Sequence, residues 1–197
     1  MIRWMLLILG GVLLGGIVHL ATIIILPRTA TQDAYARLTA IAPVNTVVAL
    51  PAPTPEKAVM PFMDPAFASA VCRYDLSQGP LKLTVPVSTA YTSVSFYPRN
   101  DVAYYAINDR AAGRRVIELD LMTTAQHEQV PEDEEITAAD RLIVDSPTPT
   151  GLIAIRAMAP EPGLMRAAQA AIAAAKCGTA KPEPPPAAPA PPVRPRR

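Results

Sequence analysis

The chain has 197 residues, a formal net charge of +1, and hydrophobic side chains at half of its positions. A near-neutral chain whose basic groups are not gathered with aromatics on one element is not built to bind nucleic acid. Its length leaves room for one domain of ordinary size beside other segments.

In chain order, the first element is an uncharged apolar run over residues 4–26. It holds about 23 residues, where a hydrocarbon core needs roughly 20, and as a helix it would extend about 34 Å. A secretory signal has a shorter apolar region and a small-residue cleavage site. Here the exit reads Leu26-Pro27-Arg28-Thr29-Ala30, which is poor cleavage chemistry, so the run is expected to be an uncleaved single-pass anchor in the bilayer. His19 lies inside it with no acidic partner and reads as a tolerated interfacial or helix-contact residue. The Gly11-x-x-x-Gly15 spacing would let two such helices approach closely.

Flanking charge does not settle which side the domain occupies, because Arg3 stands before the run and Arg28 and Arg37 after it. The cysteines point one way. Cys72 and Cys177 are the whole complement, one at each end of the folded region, which fits a single disulfide in an oxidising compartment. Two buried thiols are the other reading. If the bridge forms, it closes a loop of about 104 residues and is worth roughly 4–5 kcal/mol by chain entropy. The expected location is the inner (cytoplasmic) membrane, with the domain in the periplasm.

Residues 27–57 read as a stalk. Thr29-x-x-Gln32 is a capping-box pattern for a short helix through Ala34, Leu38 and Ile41, ending before Pro43. Pro43, Pro51, Pro53 and Pro55 then favour an extended, semi-rigid spacer.

Residues 58–177 read as the globular unit, with period-two segments broken by turn residues. Cys72, Tyr74 and Leu76 alternate with charged residues. Leu81, Leu83 and Val85 follow the Gly79-Pro80 pair. Thr92, Val94 and Phe96 come next, then residues 102–107, then Ile117, Leu119 and Leu121. Two more candidate strands, 141–145 and 152–158, flank the segment Ser146 to Gly151. This pattern predicts a mainly β domain, an antiparallel sheet or sandwich. From Pro160 the period becomes helical, through Leu164, Ala168, Ile172 and Ala175, with Pro162 early and Gly178 just past the end. Cys177 is expected at the end of that helix, clipping it to the Cys72 strand. Residues 178–197 form a basic tail rich in proline and alanine, a composition that builds no core. Such a tail suits an anionic cell-wall or lipid surface, and equally a segment with no partner.

Asp75-Leu76-Ser77, Gly79-Pro80 and Pro86 occur in one ordered block. An aromatic strand over residues 91–97 follows, and then Asn108-Asp109. In this order they resemble domain-of-unknown-function family 1254, over roughly residues 60–160, and most of all its short, membrane-anchored bacterial branch. The resemblance implies a β-rich domain outside the cytoplasm, often alongside a companion envelope protein of the related family 1214. It implies no established reaction and no catalytic residues.

The residues themselves offer little catalytic chemistry. His127 is the one histidine outside the apolar run, and without a cysteine cluster it makes no zinc site. A triad of Ser95, His127 and Asp140 has no elbow motif behind it. Glu132-Asp133-Glu134-Glu135 lacks the spacing of a calcium loop and reads as a solvated loop. No cofactor, metal or catalytic residue is therefore expected. The aromatics are better candidates. Tyr91, Ser93, Ser95 and Tyr97 share one strand face, which would line a polar-aromatic groove with Arg73 and Arg99 adding charge. Ordinary strand tyrosines reaching solvent are the competing reading. The expected function is a non-catalytic binding or accessory domain of the envelope. The alternatives are an enzyme, or a subunit of one, completed by a partner protein, and a cell-wall tether.

Overall fold

The computed structural model describes residues 1–29, 33–99, 102–113, 115–130 and 142–179. Helix α1 (Ile2–Thr29) carries the apolar run and none of it is buried. Its length and composition fit a membrane anchor or a signal sequence.

Among the described residues nine strands follow, in two sheets. They are β1 (Val47–Ala49), β2 (Phe67–Asp75), β3 (Leu81–Pro86), β4 (Thr92–Pro98), β5 (Tyr105–Asn108), β6 (Val116–Thr123), β7 (Leu142–Ser146), β8 (Thr150–Met158) and β9 (Lys176–Thr179). One sheet runs β1-β2-β8-β4-β5 and the other β7-β6-β3-β9. The alternation expected from sequence sorts the residues as predicted. Cys72, Tyr74, Val94, Phe96, Ile153 and Ile155 from the first sheet meet Leu81, Leu83, Ile117, Leu119 and Leu121 from the second, in one core. Short helices α3 (Asp109–Ala112) and α4 (Thr124–His127) cap strand ends. Helix α5 (Met165–Ala173) sends Ala168 and Ile172 into the core. The domain is thus a β-sandwich with a C-terminal helix.

Several details depart from the sequence reading. Cys72 and Cys177 are bonded to each other, but Cys177 sits on β9, beyond α5. Gly178 does not end a helix, because α5 stops at Ala173 and the chain re-enters the sheet beside β3, with Cys177 opposite Leu83. The bridge therefore staples one sheet to the other. The pairing of β6 with β7 is parallel, since β7 enters the second sheet after a crossover and not by a hairpin. The strand expected over 102–107 starts only at Tyr105, and Val102 is exposed.

Helix α2 (Ala34–Thr39) begins at Asp33, whose carboxylate accepts the Ala36 N–H at 2.7 Å. Gln32 of the expected capping box lies outside the described residues. Residues 34–50, read as spacer, pack on the sandwich. Strand β1 pairs with β2, and Leu38 and Ala42 bury with Val71 and Leu152 in a second small core on the outer face of the five-stranded sheet. The acidic run at 132–135 and the tail beyond Thr179 lie outside the described residues.

Candidate functional site

The outer face of the five-stranded sheet is where the expected groove residues stand. In β4, Thr92, Val94 and Phe96 are buried, so Ser93, Ser95 and Tyr97 face outward. Register then decides their neighbours. Ser93 lies opposite Asn108 on β5 and opposite Arg156 on β8, and Arg156 lies opposite Ser69 on β2. This gives a polar row, Asn108–Ser93–Arg156–Ser69, across four strands. The next row is Ala106–Ser95–Ala154–Val71, whose first three members are small enough to leave a floor.

A depression of about 320 Å³ forms there, lined by Phe67, Tyr91, Ser93, Ser95, Asn108 and Arg156. A second of about 230 Å³ adjoins it and shares Phe67 and Arg156, with Met60, Phe62 and Met63 on its far side. One half of this groove is polar and the other apolar. Arg156, exposed, stands between them, and its side chain makes no hydrogen bond or ion pair among the described residues. A guanidinium fork flanked by hydroxyls and an amide suits a carboxylate or another planar anion.

The expected residues divide into two groups. Tyr91, Ser93 and Ser95 share the polar depression. Tyr97 lies with α2, in the second small core. Arg73 and Arg99 flank the Tyr35 ring at 4.8 and 5.1 Å. Arg73 also donates to the carbonyls of Thr39 (3.3 Å) and Ala42 (3.0 Å) at the end of α2. It fastens that segment to β2. Arg156 is not singled out by the sequence, and Asn108 only as part of the resemblance block. The available signal was a lone charge in the apolar strand Leu152-Ile153-Ala154-Ile155-Arg156-Ala157-Met158.

The polar blocks that carried the family resemblance build turns. The Asp75 carboxylate accepts the Ser77 N–H at 2.9 Å, and hydrogen bonds from Ser77 hold its pKa below the usual value. Gly79, at φ 131°, makes the turn between β2 and β3 in a conformation that L side chains avoid. Asn108 caps α3 by accepting the Ala111 N–H at 2.9 Å, and Asp109 accepts the Thr92 N–H at 3.1 Å. Asn108 therefore has a structural duty besides its place in the groove.

No catalytic triad assembles among the described residues. Ser95 faces outward on the five-stranded sheet, while His127 ends α4, just past β6 of the other sheet, and bonds Asp145 through Nδ1 at 2.9 Å. Asp140 is outside the described residues. Among the described residues no group of three His, Cys, Asp or Glu side chains is placed to hold a metal ion.

A two-sheet β-sandwich that follows an apolar helix, and presents a shallow groove on one sheet, defines the class of protein. The chain belongs to the family described as "Protein of unknown function (DUF1254)", whose model matches residues 44–179. Among solved structures it is similar to the VPA0106 protein of Vibrio parahaemolyticus, at 14% identity and a TM-score of 0.55, over 74% of this chain and 34% of that one. It is also similar to a putative uncharacterized protein of Burkholderia cenocepacia, at 14% identity and a TM-score of 0.43, over 60% of this chain and 33% of that one. The chain thus spans about a third of the length of these solved structures. No match is found among curated proteins.

Proposed function

We propose that the protein is a non-catalytic accessory domain, held by α1 as a single-pass anchor in the cytoplasmic membrane, with its sandwich in the periplasm. Its outer groove receives an acidic segment of a partner protein in the same envelope. The observation that carries this reading is Arg156, a cation whose side chain has no partner among the described residues and which stands between Ser93, Ser69 and Asn108. The disulfide agrees with an oxidising compartment. The length of the Vibrio structure agrees with a partner, since two thirds of that chain lies outside the matched region. A companion of family 1214 is the partner we favour.

Site-specific photocrosslinking in cells tests the proposal, with the crosslinker at Ser93 on the groove or at Glu118 on the opposite sheet. A discrete adduct from position 93 is expected, lost on Arg156→Glu and absent from position 118. The same adducts from both positions, or an adduct indifferent to Arg156→Glu, would overturn it.

A further inference from the structure

Phe62 is the outlier of the domain surface. It is fully exposed, and its φ of 58° is a conformation rare for an aromatic residue. The ring is not buried in any core and stands in solvent at the rim of the apolar half of the groove. Pro61 beside it is also exposed. The segment is nevertheless tied down. Val59 and Met60, just before it, pack into the small core formed by Leu38 of α2 with Val71 and Leu152. Phe62 is therefore held out from the domain next to α2.

The chain length from α1 to α2 says what lies there. Helix α1 is described to Thr29 and α2 is capped by Asp33. Four Cα steps reach at most about 14 Å. A folded unit of this size has a radius of gyration of about 15 Å. A tether no longer than that keeps the side of the sandwich carrying α2 beside the bilayer. Among the described residues outside α1, the exposed large hydrophobics are Ile41, Val44, Phe62, Tyr91, Val102 and Leu164. Ile41 and Val44 belong to the stretch just after the tether, and Phe62 follows Val59 and Met60, which pack with Leu38 of that stretch.

We propose that Phe62 inserts into the headgroup–acyl boundary of the membrane that holds α1, so that the domain touches the bilayer at two points. This rests on the reading of α1 as an anchor. An aromatic ring flanked by apolar residues is suited to that depth. The second contact fixes the tilt of the sandwich and keeps the adjoining groove close to the membrane plane.

Trp4 is the one tryptophan of the chain, so fluorescence separates the two contacts. The full chain is reconstituted in vesicles of phosphatidylcholine and phosphatidylglycerol, with and without lipids brominated near the headgroup end of the acyl chain. Three proteins are compared: wild type, Trp4→Phe with Phe62→Trp, and Trp4→Phe with Glu118→Trp. Bromolipid is expected to quench the wild type through Trp4. It should also quench the indole introduced at position 62, with a blue-shifted emission, and leave the one at position 118 unquenched. Quenching of Trp4 with none at position 62 would overturn the proposal and leave the anchor standing. Equal quenching at 62 and 118 would overturn it too, by showing contact without orientation. Absence of quenching at Trp4 would overturn the anchor, and this proposal with it.

Discussion

At the scale of single residues, the side chains that hold the fold are distinct from those that line the outer groove. Tyr74 is fully buried, and its hydroxyl meets Ser146 Oγ at 3.0 Å. Gly151 passes so close that a Cβ there would run into the Tyr74 hydroxyl and the Tyr97 carbonyl. Gly151→Ala is therefore expected to destabilise by about 2–3 kcal/mol or more, read by chemical denaturation, because a backbone atom cannot step aside. Tyr104 adds its hydroxyl to the same network at 3.4 Å, and burial raises its pKa far above the ordinary value. Its contribution is complete below the unfolded phenol pKa of about 10 and is lost as pH rises beyond it. Stability should thus fall above about pH 10, and Tyr104→Phe should flatten that slope by up to about 1.4 kcal/mol per pH unit. Arg156 behaves oppositely. Arg156→Ala should shift stability by less than about 0.5 kcal/mol, as for an exposed side chain with no partner among the described residues, yet remove the groove crosslink. Sequence alternation was enough to place Ser93 and Ser95 outward. It was not enough to find Arg156, because which strand lies beside β4 is a matter of topology, and β8 is distant in the chain.

At the scale of elements, the strongest strands were legible because their apolar positions recur over three or more periods, as Leu81, Leu83 and Val85 do. The short helix through Ala34 and Leu38 was legible, but the three residues of β1 carry too few periods to show a face, and the prolines around both read as spacer. Packing decides the matter, since Leu38 is 1% exposed. Leu38→Ala should cost about 2–5 kcal/mol, the range for a buried leucine truncated in a core. A free spacer would show no change in the denaturation midpoint. Position explains the misreading of Cys177 in the same way. A run of small residues such as Ala173-Ala174-Ala175 continues a helical pattern, and only the pairing of Lys176–Thr179 with β3 reveals a strand. Stapling the two sheets across 105 residues, the bridge should be worth about 2–5 kcal/mol, lost in Cys72→Ala with Cys177→Ala.

At the scale of the whole molecule, an apolar helix that fits a membrane anchor or a signal sequence stands before the sandwich. The sheets of that sandwich are joined by a disulfide, which suits a domain outside the cytoplasm. The proposed partner and the proposed lipid contact both depend on α1 being an anchor, whereas the groove belongs to the fold itself. Fold class followed from composition and periodicity, because alternating segments with frequent turns admit few architectures. Role did not follow, because a binding face is a juxtaposition of ordinary residues from four strands and leaves no spaced motif. The most direct test is a thiol-blocking gel shift on cells lysed directly into denaturant, with and without reductant, on the wild type and on Cys72→Ser. The account predicts that wild-type Cys72 and Cys177 resist modification until reduced, and that Cys177 labels without reductant in Cys72→Ser. Free labelling of both wild-type thiols in unreduced, denatured protein would contradict it, and would move the domain to the cytoplasmic side.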